Sequence, residues 1–156
     1  MALAQLEFEI SSIRRIARPI LKWAGGKSSL LSVLSKYIPK EYKNYIEPFV
    51  GGGAMFFALQ PESGILGDAN AELIACSEAV RDTPEAVITL LSTYKVSSEE
   101  FYRVRALNPR VLSEPERAAR MIFLNKTCFN GLYRVNRFGQ FNTPFGHVTN
   151  VRLVYE

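Results

Sequence analysis

Residues 45–59 read Y-I-E-P-F-V-G-G-G-A-M-F-F-A-L, and this order of residue types predicts a strand, a turn and a helix. Residues 45–50 form a short apolar and aromatic run that is typical of a buried strand. The glycines at 51–53 favour a tight turn, and the apolar residues 54–59 are typical of a buried helix. The chain therefore has the beginning of an α/β unit.

A second unit of the same kind follows at once. Residues 64–67 form another short run, which ends at Asp68, and Asn70 is placed to cap a helix that extends to about Arg81. Two strands separated by a helix predict a β-α-β-α arrangement with a parallel sheet.

Beyond residue 82 the pattern becomes helical. Thr83 precedes a proline, as an N-cap residue does when proline occupies the first helical position. Ser97 with Glu100, and Ser113 with Glu116, have the spacing of a capping box ahead of apolar residues at helical intervals. These signals predict a small helical subdomain. From Asn125 onward the chain is rich in Asn, Gly, Arg and aromatic residues, which indicates an ordered loop or hairpin. We accordingly divide the chain into segments 1–17, 18–82 and 83–156.

Composition and charge narrow the class of protein. The 156 residues are 47% apolar and 22% charged, as in ordinary globular domains. No apolar run approaches the roughly 20 residues needed to span a bilayer, and the first 18 residues lack the pattern of a secretory signal. We expect a cytoplasmic protein. Cys76 and Cys128 are isolated and His147 is the only histidine, so we expect reduced structural thiols and no metal site.

The charge is unevenly divided along the chain. Residues 1–94 contain 9 Lys/Arg and 10 Asp/Glu, a net charge of −1, whereas residues 95–156 contain 10 and 5, a net charge of +5. A basic second half is expected of a protein whose C-terminal half binds phosphate groups. A solvated helical face would show the same excess, and charge alone leaves both interpretations open.

Residues 22–27 read K-W-A-G-G-K and precede a predicted helix from Ser28. A Gly-Gly turn before a helix lets backbone approach a ligand, while the amide groups and Lys27 supply positive charge for a carboxylate or phosphate. A nucleotide-hydrolase P-loop would need glycine five positions before Gly26, and that position is Leu21. We therefore set the P-loop interpretation aside.

The run from Glu47 to Gly53, followed by Asp68, suits adenosine recognition. Glycines after the first strand of a nucleotide-binding sheet let a cofactor lie against bare backbone. A carboxylate after the second strand, here 17 residues beyond Gly51, can accept hydrogen bonds from ribose hydroxyls. A simple tight turn would explain the glycines equally well.

Together these stretches resemble the Dam-type family of adenine-specific DNA methyltransferases. The family has a Lys-Trp-Ala-Gly-Gly-Lys element, a Glu-Pro-Phe-x-Gly-x-Gly element and an Asp-x-Asn element, which stand here in that order. Residues 125–136 and 139–146 are similar to its target-recognition signature. The resemblance covers about residues 18–147. It implies an α/β fold with an incomplete Rossmann-like S-adenosylmethionine-dependent methyltransferase sheet and a helical DNA-recognition subdomain.

The resemblance implies a cofactor pocket for S-adenosylmethionine within residues 18–82. Trp23 would pack on the ligand, Lys27 would meet its methionine end and Asp68 would hold the ribose. The segment from Glu47 to Gly53 would form the pocket floor. The implied floor residues are Glu47, Pro48, Phe49, Gly51 and Gly53. A half-buried core position is the alternative for Trp23.

It also implies that residues 83–156 meet double-stranded DNA. The segment 129–134 carries an aromatic residue, an amide, an apolar wedge and a guanidinium, which serve for stacking, adenine recognition, intercalation and guanine reading. The implied DNA contacts are Phe129, Asn130, Leu132 and Arg134, with Lys22 near the DNA and Arg137 on a phosphate. Core packing is the alternative for Phe129 and Leu132.

The family's methyl-acceptor element, Asp-Pro-Pro-Tyr, occurs nowhere in residues 1–156. In the family it binds the adenine amino group and stacks on the flipped base. We assign no catalytic residue and expect the N-terminal part of a site-specific DNA adenine N6-methyltransferase, with the catalytic motif in a missing C-terminal portion. A non-catalytic DNA-binding or cofactor-binding remnant of the family is the alternative.

Overall fold

A computed structural model describes residues 17–154. It contains two short strands and six α-helices within that range, joined by 3-10 turns. The strands are β1 (Ile46–Glu47) and β2 (Ile65–Leu66). The helices are α1 (Leu31–Leu34), α2 (Ala54–Leu59), α3 (Ala71–Asp82), α4 (Pro84–Thr93), α5 (Ser98–Ala106) and α6 (Glu114–Thr127).

The predicted parallel pairing of the two strands is confirmed. Ile46 pairs with Ile65 and Glu47 with Leu66, and α2 lies between the two strands in the chain. The first strand is shorter than the predicted run of six residues. Pro48, which has no N–H to donate, follows β1 directly, and the chain then turns at Gly51, whose φ is +52°.

The predicted helix from Ser28 is broken into three pieces. A 3-10 turn (Lys27–Leu30) leads into α1, and a second 3-10 turn (Ser35–Tyr37) ends it. None of these pieces contains a buried residue, so little tertiary packing supports a longer helix.

All four predicted N-cap residues stand directly before their helices, and three of them form the cap through their side chains. Asn70 accepts from the N–H of Leu73 at 3.1 Å, and Ser113 donates its own N–H to Glu116 at 2.8 Å. The Ser97 hydroxyl accepts from the Glu100 N–H at 3.1 Å, although the Glu100 carboxylate pairs with an arginine instead of reciprocating. Thr83 occupies the N-cap position of α4 ahead of Pro84, as predicted, but its side chain forms no cap hydrogen bond there. Its hydroxyl donates to the carbonyl of Ala79, because the last turn of α3 offers an acceptor immediately behind it.

One hydrophobic core connects the helices on both sides of residue 82. Helix α6 lies at its centre, and α3, α4 and α5 pack against it. Phe101, Val104 and Phe123 are fully inaccessible to solvent. Asn125, predicted to open the loop, lies inside α6, and its buried side-chain amide bonds to Lys22 and Gly131 outside the helix. The hairpin begins after Thr127.

The two cysteines are buried and free. Burial raises the pKa of Cys76 to about 12 and that of Cys128 to about 11, so both thiols are protonated at neutral pH. This is consistent with the structural role expected of them. No helix among residues 17–154 has the length and apolar content of a membrane span.

Candidate functional site

Lys27 and Glu47 form an ion pair at the carboxyl end of β1. The Lys27 ammonium donates to Glu47 Oε1 at 2.9 Å and to the Phe49 carbonyl at 2.8 Å. Glu47 is 8% exposed, and its other oxygen accepts from the Tyr45 hydroxyl at 2.6 Å. Burial, followed by the hydrogen bond to this carboxylate, raises the pKa of Tyr45. An ammonium has three N–H donors, so Lys27 keeps one for a ligand.

Asp68 faces the glycine turn from the end of β2. Its Oδ2 accepts from the Gly51 N–H at 3.0 Å and its Oδ1 accepts from the Asn70 N–H at 2.9 Å. A carboxylate accepts about four hydrogen bonds, so two acceptor positions are left for a ligand. Asp68 and Phe49 both lie just beyond the carboxyl ends of parallel strands, which is where open α/β sheets bind ligands.

Trp23 packs against the same turn. A Cβ atom placed on Gly51 would lie 3.1 Å from Trp23 Cδ1, so the missing side chain permits this approach. The indole is half-buried, contacts the hydrophobic core and stacks on Tyr133, with ring centroids 5.2 Å apart and planes at 23°. It also lines a cavity of about 430 Å³ together with Lys22 and Gly52. A core role and a ligand-facing role for Trp23 are thus compatible.

The remaining predicted pocket residues belong to the same loop. Pro48 is exposed, and its backbone lies close to Gly67, where an added Cβ would be 3.6 Å from the Pro48 Cα. Gly53 is buried with φ +77° and precedes the first turn of α2. The structure therefore brings Trp23, Lys27 and Asp68 to one turn. The 430 Å³ cavity includes only Trp23 of these three.

All predicted DNA contacts except Lys22 lie on a hairpin that follows α6. Antiparallel bridges join Cys128 to Phe145 and Val135 to Phe141. Phe129 is 52% exposed and Leu132 is 39% exposed, so neither is a core residue of the described chain. Both side chains are available at the surface.

The two arginines of the hairpin are held differently. Arg134 is exposed, and its Nε donates to Asn142 Oδ1 at 3.0 Å, which orients the guanidinium and leaves its terminal nitrogens available. Arg137 lies over the ring of Phe138 at 4.8 Å, near the tip of the hairpin. Asn130 is exposed and adopts φ +55°, which asparagine tolerates better than most residues.

Lys22 connects the hairpin to the K-W-A-G-G-K segment. Its peptide N–H donates to Asn125 Oδ1 at 2.8 Å, and its side chain lies across Gly131. Sequence reasoning missed Asn125, Tyr45 and Tyr133. For Asn125 a signal existed, since a lone amide within the apolar run Phe123-Leu124-Asn125 indicates a buried polar group with a specific partner.

Replacing Gly131 with alanine should destabilise the fold more than the same change at Gly139. Both glycines have a left-handed φ, +67° and +75°, so each alanine would bear about 1–2 kcal/mol of backbone strain. Only at Gly131 would the new Cβ also collide, at 2.9 Å from the Cβ of Lys22. We expect an additional loss of about 1–2 kcal/mol. Urea unfolding of the two variants measures the difference, and equal midpoints would show that the approach of Lys22 is not tight.

Comparison with known proteins places these motifs in one family. The sequence matches the D12 class N6 adenine-specific DNA methyltransferases over residues 23–153. It is 43% identical to a type II methyltransferase of Lactococcus lactis subsp. cremoris over 88% of this chain and 50% of the relative. It is 41% identical to a type II methyltransferase of Methanocaldococcus jannaschii over 89% of this chain and 55% of the relative. It is 36% identical to a DNA adenine methylase of Haemophilus influenzae over 83% of this chain and 47% of the relative. The chain spans about half the length of these relatives.

Proposed function

Because this chain belongs to the D12 class of N6 adenine-specific DNA methyltransferases, we propose that it supplies the cofactor half-site and the DNA-recognition segment of such an enzyme. The observation that carries the proposal is the arrangement of Lys27 and Asp68 around the Gly51 turn, at the carboxyl ends of two parallel strands. An exposed hairpin with base-reading residue types joins this site through Lys22.

The donor and acceptor set fits S-adenosylmethionine. Asp68 has two acceptor positions left for ribose hydroxyls, and Lys27 has one N–H left for the carboxylate of the methionine moiety. Trp23 offers an aromatic surface beside the glycine turn. When bound, the cofactor supplies an electrophilic methyl group on a sulfonium. In this proposal the residues of the chain bind and orient it and do not take part in bond making.

The proposed DNA partner is a duplex read by the hairpin 128–145. Arg134 would read guanine through its terminal nitrogens, Leu132 would enter between base steps and Arg137 would contact a phosphate. Exposure of all three side chains supports these roles, and so does the net charge of +5 over residues 95–156. Asn130, exposed on the same segment, would recognise an adenine of the recognition sequence, and Phe129 would stack on a base.

The remaining part of the enzyme would complete the sheet. Ile46 and Ile65 are neighbours on one sheet face and are 63% and 67% exposed, and within residues 17–154 each strand of the two-stranded sheet has one unpaired edge. Exposed apolar strands with open edges favour pairing with further strands. We propose that another portion of the protein supplies these strands together with the Asp-Pro-Pro-Tyr element. A non-catalytic remnant of the family would lack that portion.

Replacing Asp68 with alanine should weaken S-adenosylmethionine binding about tenfold. The change removes the acceptors for the ribose hydroxyls and the hydrogen bond that holds the Gly51 N–H, at a cost of about 1–2 kcal/mol. Isothermal titration calorimetry of the purified chain with S-adenosylmethionine measures the affinity. Asp82→Ala is the matched control, since Asp82 is exposed and its carboxylate pairs with neighbouring Arg81. Equal affinities of the Asp68→Ala and Asp82→Ala variants would show that Asp68 does not bind S-adenosylmethionine.

A further inference from the structure

Asn125 joins the proposed cofactor half-site to the DNA-recognition hairpin. Its side chain is 1% exposed and uses both ends of its amide. Oδ1 accepts from the Lys22 N–H at 2.8 Å, while Nδ2 donates to the Lys22 carbonyl at 2.9 Å and to the Gly131 carbonyl at 3.0 Å. One buried amide thereby holds the peptide groups on both sides of Lys22 and the turn that precedes Leu132.

Tyr133 forms a second connection. It lies between Leu132 and Arg134, whose side chains are exposed, while its own side chain is half-buried and packs against the core. Its ring stacks on Trp23, with ring centroids 5.2 Å apart. Tyr133 therefore contacts the loop that carries Trp23 and Lys27.

We propose that Tyr133 and Asn125 are positioning residues that couple the two sites, so that S-adenosylmethionine and DNA each strengthen binding of the other. The inference rests on the proposed function of the two sites. It goes beyond that function in treating the base-reading residues and Trp23 as one unit that becomes ordered together. The unit is held by contacts between residues 22–23 and residues 125–133.

The sign of the coupling follows from shared ordering. Tyr133 stacks on Trp23 and is the chain neighbour of both Leu132 and Arg134. When the cofactor immobilises the Trp23 indole, the stacked Tyr133 ring therefore restricts the backbone of these two base-facing residues. DNA held by those residues restricts Trp23 in the same way. The first ligand bears the entropic cost of ordering the unit, so the second ligand binds more tightly. Thermodynamic linkage requires the same factor in both directions.

The experiment measures S-adenosylmethionine affinity by calorimetry, with and without a saturating DNA duplex of randomised central sequence. Duplex binding itself is measured by fluorescence anisotropy of a labelled copy. We expect the wild-type chain to bind S-adenosylmethionine at least about fivefold more tightly in the presence of DNA. Tyr133→Leu, which removes the stacked ring, should bring this ratio close to one. Tyr133→Phe keeps the ring and should keep most of the ratio.

Trp23 provides a direct spectroscopic readout, because it is the only tryptophan in the chain. Adding DNA should change its emission in the wild-type chain and in Tyr133→Phe, and the change should be lost in Tyr133→Leu. Phe141→Leu is the matched control. It removes another buried ring of the same hairpin, one that touches Tyr133 at a centroid distance of 5.8 Å, and it leaves the Trp23–Tyr133 stack in place.

The outcomes separate this inference from the proposed function. If the wild-type chain binds both ligands but the affinity ratio is one, the coupling is refuted and the proposed function stands. A ratio that survives in Tyr133→Leu, or that falls equally in Phe141→Leu, also refutes the role given to Tyr133. If the wild-type chain binds neither ligand, the proposed function fails and the coupling fails with it.

Discussion

Purified residues 1–156 are expected to transfer no measurable methyl group to adenine in DNA. The N6 lone pair is delocalised into the purine ring, so the amino group is a poor nucleophile until acceptors for its protons localise that pair. The chain contains no Asp-Pro-Pro-Tyr element to supply them. Cofactor binding and DNA contact bring the reactants together, but proximity alone leaves the nitrogen misaligned and its developing charge unstabilised.

Glu47 and Asn130 carry oxygen acceptors, but the structure argues against either of them replacing the acceptors of the Asp-Pro-Pro-Tyr element. Glu47 is buried, and its two oxygens already accept from Lys27 and Tyr45. Asn130 lies on the exposed hairpin, beyond the end of α6. Neither side chain is arranged to receive the protons of an adenine amino group beside the Asp68 loop.

The measurement is transfer of a radiolabelled methyl group from S-adenosylmethionine to unmethylated duplex DNA. Lys27→Ala serves as the control, because it should weaken cofactor binding and so abolish any transfer that originates in this chain. Turnover that persists through purification and disappears in Lys27→Ala would contradict the prediction and reveal an acceptor site within these residues. A second polypeptide that carries the Asp-Pro-Pro-Tyr element should restore activity when it is added to the wild-type chain.

Arg134→Ala should weaken binding to the preferred duplex by roughly 1–3 kcal/mol, or about fivefold to 150-fold in Kd. Asn142 holds only the Nε of Arg134, so the terminal nitrogens can form a two-point contact with a guanine. Loss of that contact should also relax the preference between bases. Arg137→Ala should weaken all sequences alike, because a phosphate contact carries no sequence information.

A competition assay distinguishes the two arginines. A preferred duplex is first selected from a randomised pool with the wild-type chain, and each variant is then tested against that duplex and the unselected pool. The discrimination ratio should fall in Arg134→Ala and hold in Arg137→Ala, while the salt dependence should decrease in Arg137→Ala. Equal effects of both changes on every duplex would show that Arg134 does not read bases.

The sequence by itself determined the features that depend on neighbouring residues. The glycines at 51–53 between two apolar runs predicted the β-α-β order, and Asn70 and Ser113 predicted caps that the structure contains. Such signals are readable because a turn, a cap or one turn of helix involves residues at most four apart. The four motifs in order also predicted the family. The helix from Ser28 forms only as three short pieces, and Thr83 occupies its N-cap position without a side-chain hydrogen bond, since packing and competing acceptors decide marginal helices and caps.

Only the tertiary structure decided how the motifs meet. Lys22 and Asn125 are 103 residues apart in sequence. No periodic pattern in the sequence predicts that the side-chain amide of Asn125 binds the peptide N–H of Lys22. The stack of Trp23 on Tyr133 and the ion pair of Lys27 with Glu47 arise in the same way. Each requires the fold to bring distant segments within about 3 to 5 Å, which depends on tertiary packing and not on local preference.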